Sequence, residues 1–163
     1  MTFQQAIITC FRKYFTLSGR ASRSEYWWFV LFNFLGGLIA SATETFINNV
    51  SGTPGGPTLL SGAFSLVTLI PGFTAGVRRM HDTGRSGWHL FYPLIAILGL
   101  STFVGLFGPA SGDVTQISGG FGLIVAIALI VVVLSPFIVI WWLTRPSEPG
   151  QNQYGPNPHE VHP

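Results

Sequence analysis

Five ionisable side chains, Arg78, Arg79, His81, Asp82 and Arg85, fall within eight residues of one another in the stretch "VRRMHDTGRSGWHLF", Val77–Phe91. Adjacent His81 and Asp82 are types able to move a proton. No nucleophile stands clearly beside them, because Ser86 is better used as the N-cap of a helix that starts with Gly87 and Trp88. That helix N-terminus, next to three arginines, suits an anion: free N–H groups and guanidiniums both favour negative charge. Asp82 can accept from one of the arginines, and Gly84 permits a turn of positive φ. The stretch lacks the Gly-x-x-x-x-Gly-Lys-Ser/Thr frame of a nucleotide-binding loop. A reading without any ligand also stands: a basic loop of this length orients a membrane protein by its charge alone.

Other residues with chemical potential are sparse. Cys10 is the single cysteine, so no intrachain disulfide forms; it reads as a small apolar residue, with reversible lipidation the alternative. His159 and His162 are three apart among prolines, whereas a zinc-binding pair stands four apart on a helix; no metal and no cofactor is expected. Asn49-Val50-Ser51 fits a glycosylation sequon, which matters only in a secretory pathway.

The elements that must position the cluster are apolar helices. Only 9% of the 163 residues are charged and 48% are apolar, too little charge to cover a soluble surface. Four runs, about 26–42, 59–77, 88–107 and 120–143, contain no Asp, Glu, Lys or Arg, and each can cross a hydrocarbon core as a helix. The first run continues into further spans without a cleavage site, so it is no signal peptide. All eight Lys and Arg lie before the first run (Arg12, Lys13, Arg20, Arg23), between the second and third (Arg78, Arg79, Arg85) or after the fourth (Arg145). The loops 43–58 and 108–119 have none, which places both termini and the arginine stretch in the cytoplasm. Trp27, Trp28, Trp88, Trp141 and Trp142 fall at the same headgroup level. The expected fold is all-α, an integral membrane four-helix bundle over residues 1–145, N-in and C-in.

Before the first span, Phe3, Ala6, Ile7, Cys10, Phe11 and Tyr14 form the stripe of an amphipathic helix, lying in the interface or packed on the bundle's end. The tail 146–163 has five prolines and no helical period, which predicts an extended or disordered cytoplasmic segment; whether it folds back onto the arginines, with Asn152 and Tyr154 capping them, no spacing argument shows. Pro71, Pro93 and Pro136 are expected to bend spans two, three and four. Gly72/Gly76 and Gly36/Ala40 offer small helix-packing faces, and Asn33 a bond to a neighbouring helix. "GRASRSEYWWF" and "GRSGWHLF" echo one another weakly, as two repeated hairpins would. No ionisable group lies at mid-depth except His89, near the cytoplasmic edge, which counts against an ion pump.

Three blocks are recognisable: "FRKYFTLSGRASRSEYWWFVLFNFL", "GVRRMHDTGRSGWHLFYPLI" and "GQNQYGPNP". They resemble, in order, the signature blocks of a bacterial inner-membrane family called domain of unknown function 805. The matching positions are Gly19, Arg20, Arg23, Tyr26 and Trp27; Arg78, Arg79, His81, Asp82, Gly84, Ser86, Gly87 and Trp88; and Asn152, Tyr154, Gly155 and Pro158. His89 departs from the hydrophobic residue usual there. The resemblance implies a helical inner-membrane protein and supplies no activity. Since its blocks fix Arg, Asp, Gly, Ser and Trp types where mere anchoring needs only charge, it also implies a defined cytoplasmic structure.

The expected function is non-enzymatic. A basic, aromatic cytoplasmic face, Arg20, Arg23, Arg78, Arg79, Asp82, Arg85, Ser86 and Trp88, would bind anionic membrane lipid or a protein partner, with Glu25, Gly84, Gly87, Asn152 and Tyr154 as structural support. A small homo-oligomeric channel or transporter is the alternative, and a headgroup enzyme using His81 and Asp82 a third. Nucleic acid is not an expected partner.

Overall fold

The computed structural model of the protein describes residues 1–108 and 119–160; most of the loop 108–119, and His162, lie outside the described residues. Among the described residues there is no strand. The elements are α1 (Phe3–Arg12), α2 (Arg23–Val50), α3 (Leu59–Asp82), a 3-10 turn (Gly87–Phe91), α4 (Tyr92–Phe107) and α5 (Gly119–Thr144). Four helical stretches, Arg23–Val50, Leu59–Asp82, Gly87–Phe107 and Gly119–Thr144, are long and apolar enough to cross a membrane. The chain forms two compact units: Met1–Gly87 together with the tail from Pro146, and Trp88–Arg145.

In the first unit, α1 opens with a capping box: the Thr2 hydroxyl accepts from the Gln5 N–H, and the Gln5 side chain accepts from the Thr2 N–H. The apolar stripe of α1 packs on the long helices. Ala6 and Cys10 are fully buried, and the Phe11 ring lies 5.7 Å from Phe29 and 6.1 Å from Phe32 of α2. Burial pushes the Cys10 thiol up to about 11, so it stays protonated and behaves as a small apolar residue.

Helix α2 runs eight residues past the apolar stretch that ends at Ala42. Polar side chains did not stop it because they bond within the helix: Thr43 and Thr45 donate to the carbonyls of Ile39 and Ser41 at 2.8 and 2.9 Å. Facing it, α3 packs Phe64 against Phe32 at 5.7 Å and over Gly36. Asn33 lies against Gly72 of α3, its Oδ1 buried with no hydrogen-bond partner among the described residues. Pro71 lies inside α3 and cannot bond the Val67 carbonyl one turn back; the Tyr14 hydroxyl donates to that carbonyl instead, at 2.9 Å.

In the second unit, Pro136 likewise lies inside α5, and the freed Val132 carbonyl accepts from the Ser135 hydroxyl at 3.0 Å. Pro93 differs from the expectation of a bend. It occupies the first turn of α4, where a missing N–H costs nothing, so the 3-10 turn ends and the α-helix begins there. At that end of the α4–α5 pair, the Trp142 ring meets His89 at 5.2 Å and Tyr92 at 5.7 Å. Thus His89 sits in an aromatic cluster with Tyr92 and Trp142 at one end of the α4–α5 pair.

Candidate functional site

The arginine stretch is helix for its first half. α3 continues past Val77 through Arg78, Arg79 and His81 to Asp82, because those side chains find buried partners that a loop in water would not supply. The helix then stops in a Schellman motif: Arg85 N–H bonds the Met80 carbonyl at 3.0 Å, and Gly84 N–H bonds the His81 carbonyl at 3.1 Å. Gly84 has φ +72°, the left-handed conformation this stop requires.

Arg20 is the hub. Its guanidinium has five N–H groups. The Nε donates to Asp82 Oδ1 at 2.9 Å; Nη1 donates to the carbonyls of Gly150 (2.8 Å) and Gly155 (3.3 Å); Nη2 donates to the carbonyls of Glu148 (2.5 Å) and Asp82 (3.4 Å). One planar cation therefore ties the segment before α2, the end of α3 and the C-terminal tail together. A lysine, with three donors on one point charge, has no equivalent geometry.

Around it, Arg79 Nη1 and the Ser147 hydroxyl donate to the other Asp82 oxygen, Oδ2, the latter at 2.6 Å. Arg78 pairs with Glu25, three residues beyond the Ser22 N-cap of α2, whose hydroxyl accepts from the Glu25 N–H at 3.2 Å. The Ala21 N–H also bonds the Arg78 carbonyl at 3.0 Å. Arg78, Arg79 and Asp82 are fully buried, and Arg20 and Glu25 nearly so. Three guanidiniums thus face two carboxylates. Removing one member of a buried pair typically costs about 3–5 kcal/mol, because it strands the other charge.

The described part of the tail, residues 146–160, folds against the network, where its composition predicts an extended or disordered segment. The physical reason is partner supply: its carbonyls meet Arg20, and its side chains meet the end of α3. Tyr154 stacks on His81 with ring centroids 3.8 Å apart, and Asn152 donates to the His81 carbonyl at 2.9 Å. The tail also closes on itself, with paired backbone bonds between Asn152 and Gly155 and an Asn157 side chain bonded to Glu160.

The structure separates the eight residues that the sequence offers to an external anion. Arg20, Arg78, Arg79 and Asp82 turn inward. Arg23 is exposed on the first turn of α2, while Arg85 and Ser86 are half-buried after the Schellman turn. Ser86 immediately precedes the 3-10 turn that opens the third span. Gly87 lies against Val77, where a Cβ would come within 2.7 Å of a methyl group. Trp88, 72% exposed, opens the second unit. His81 turns its Nδ1 to the Gly19 carbonyl at 3.2 Å, so His81 and Asp82 face different partners and form no acid–base pair. Sequence reasoning missed Ser22, although Ser-x-x-Glu is a helix-start signal. It also missed Ser147, whose hydroxyl reaches Asp82, and Glu148 and Gly150, whose role lies in backbone carbonyls that no residue type announces.

The chain matches a known family model, "Protein of unknown function (DUF805)", over residues 14–156, a range that takes in Arg20, Asp82 and the tail carbonyls that meet on it. The chain belongs to this family. It is similar to the inner membrane protein YhaI of Escherichia coli K12, 36% identical over 102 residues, which cover 61% of this chain and 81% of YhaI. It is also similar to the inner membrane protein YhaH of the same organism, 25% identical over 147 residues and 90% of each chain. No solved structure matches it.

Proposed function

We propose that this is a non-enzymatic, multi-pass inner-membrane protein with both termini in the cytoplasm, whose basic face there holds anionic lipid headgroups. The observation that carries the reading is a charge surplus. The segments assigned to the cytoplasm hold all eight Lys and Arg against four acidic residues, Glu25, Asp82, Glu148 and Glu160. Each basic residue near an anionic leaflet contributes about 1 kcal/mol.

Magnitudes divide the labour among the arginines. Drawing Arg20, Arg78 or Arg79 out of its buried pair costs more than a surface phosphate contact returns. These three, with Asp82, support the face from beneath. Arg23, Arg85 and Ser86 meet headgroups, with Arg12 and Lys13 at the end of α1. In the second unit, Trp88 anchors at the headgroup level, and Arg145 stacks 4.9 Å over the Trp141 ring. The separate partners of His81 and Asp82 support the non-enzymatic part of the reading.

Native mass spectrometry in mild detergent tests it, with wild type set against an Arg23→Gln/Arg85→Gln double variant of unchanged helicity. Phosphatidylglycerol or cardiolipin should stay on the wild type and be largely lost from the variant. Equal retention by both proteins, or none by the wild type, would overturn lipid binding at this face.

A further inference from the structure

Helix α1 and the turn after it dip along the α2–α3 hairpin and come back. Phe3, at the start of α1, meets Trp28 of α2 with ring centroids 5.8 Å apart. Phe11, near its end, meets Phe32, one turn farther from the arginine network. Beyond the helix, the Thr74 hydroxyl of α3 donates toward the Tyr14 carbonyl at 3.3 Å, and the Tyr14 hydroxyl reaches the Val67 carbonyl at 2.9 Å. The chain then returns: the Gly19 carbonyl lies 3.2 Å from His81 Nδ1, and Arg20 joins Asp82. At the rise of an α-helix, Thr74 lies about 10 Å farther along α3 than His81, and Val67 about 21 Å.

Those distances set the dip against the membrane. The uncharged stretch 59–77 of α3 is about 28 Å long, close to one hydrocarbon thickness. Thr74, and with it the Tyr14 backbone, lies about 5 Å inside the end of that stretch nearer the arginines, and Val67 lies about midway. The Tyr14 side chain runs between these two depths. The Phe15 ring stands 4.7 Å from the Tyr14 ring, yet it is 78% exposed, and Leu17 is 48% exposed. Phe15 therefore turns its ring to the surroundings at a depth where those are acyl chains and not water.

Two further features suit that setting. Irregular backbone at membrane depth is tolerated only where its polar groups are met by protein. Here the Lys13 N–H bonds the Thr9 carbonyl at 3.0 Å, the Thr16 N–H bonds the Lys13 carbonyl at 3.1 Å, and the buried Thr74 hydroxyl serves the Tyr14 carbonyl. The charges are also placed to escape. Residues 14–19 carry none, and Arg12 and Lys13 stand at the end of α1. Side chains on a helix lean toward its N-terminus, which in α1 is the shallow end beside Trp28. Both long stems can thus run back to headgroup level with their charge in water.

We propose that α1 and the turn Tyr14–Leu17 form a re-entrant element embedded in one leaflet, with Phe15 and Leu17 as its lipid-facing side chains. The partner of this surface is the acyl-chain layer of the membrane and not a protein. On the topology proposed above the leaflet is the cytoplasmic one, so the basic face carries an apolar tip beneath its headgroups. The inference rests on α2 and α3 crossing the membrane; it does not need anionic lipid at Arg23 and Arg85.

Nitroxide labels on Phe15→Cys, Ser18→Cys and Phe34→Cys variants of the full chain, in nanodiscs of phosphatidylethanolamine and phosphatidylglycerol, test it. Each label is relaxed by oxygen, which gathers in lipid, and by a water-soluble nickel chelate; wild type, with only the buried Cys10, is the blank. Phe34, exposed on α2, marks the surface of a span, and Ser18, exposed beside Gly19, marks the water side. The oxygen-to-nickel ratio at Phe15 should match that at Phe34 and exceed that at Ser18 several-fold. A ratio at Phe15 equal to that at Ser18, with Phe34 still shielded from nickel, would overturn the embedded turn and leave the spans standing. Shielding of Phe15 from both agents would place it against protein and overturn it as well. Nickel access at Phe34 would overturn the spanning reading together with the turn. Should Phe15→Cys fail to fold, Leu17→Cys decides by the same comparison.

Discussion

Where α2 begins and α3 stops, three guanidiniums and two carboxylates are buried against one another and roofed by the tail; at the opposite end of the same two helices, a single carboxylate lies under a thin cover against peptide N–H groups. Both ends answer the same need, since a helix terminus leaves backbone groups unpaired. At the first end the carbonyls of Asp82 and His81 are taken by Glu148 and Asn152, and that of Arg78 is shared with Ala21, each partner borrowed from a distant stretch of chain. At the other end the orphan N–H groups are taken by one residue of the neighbouring helix. The first solution joins three segments through the donors of Arg20, and it leaves three guanidiniums over two carboxylates, with Arg78 Nε and Nη2 unpartnered among the described residues. The second joins two helices through one carboxylate, that of Glu44.

Substitutions sharpen this contrast. The largest effect belongs to Asp82→Ala, which strands Arg20 and Arg79 in a buried setting. It should cost about 3–5 kcal/mol and lower Tm far more than Glu44→Gln, because the glutamine amide keeps an acceptor for α3 and strands no cation. Comparable losses in the two variants, read by thermal unfolding, would erase the distinction between the ends. Arg20→Lys should come next. Charge is retained, but a lysine cannot reach Asp82 and three tail carbonyls at once, so about 1.5–3 kcal/mol is lost and the tail becomes protease-sensitive. Wild-type behaviour of Arg20→Lys would reduce the hub to a charge. The smallest effect is at Cys10. A thiol held up to about 11 rather than 9.0 carries about a hundredfold less thiolate. Maleimide labelling in the folded protein at about pH 8 should therefore lag the unfolded chain by at least that factor, and equal rates would contradict the packing of α1.

Much of the fold was legible because lipid enforces a simple code: long uncharged runs became helices, and Trp142 and His89 fell together at one end of α4–α5. The boundaries were less legible. Glu44 marked the end of a span in the sequence, yet in the structure it lies within α2, since a carboxylate with partners does not break a helix. The third span opens directly after Ser86, but as a 3-10 turn, and the α-helix starts only at Tyr92 with Pro93 in its first turn. The arginines announced themselves by type, while their inward direction did not, because burial depends on partners far along the chain. Residues 20, 82 and 150 are brought together only by tertiary structure. The tail was the least legible part: composition predicts an extended or disordered course for a proline-rich segment, Asn152 and Tyr154 stood out only through the family blocks, and one guanidinium waiting for three carbonyls leaves no mark on residue types.

Hydrogen–deuterium exchange across residues 146–160, compared between wild type and Asp82→Asn, tests the convergence on Arg20 most directly. Tail amides such as Glu148 N–H, which bonds the Asp82 carbonyl at 2.9 Å, should be protected in the wild type. In Asp82→Asn they should exchange at the rate of a free peptide while the centres of α2 and α3 stay protected. Fast exchange of the tail in the wild type itself would show that the network does not hold it.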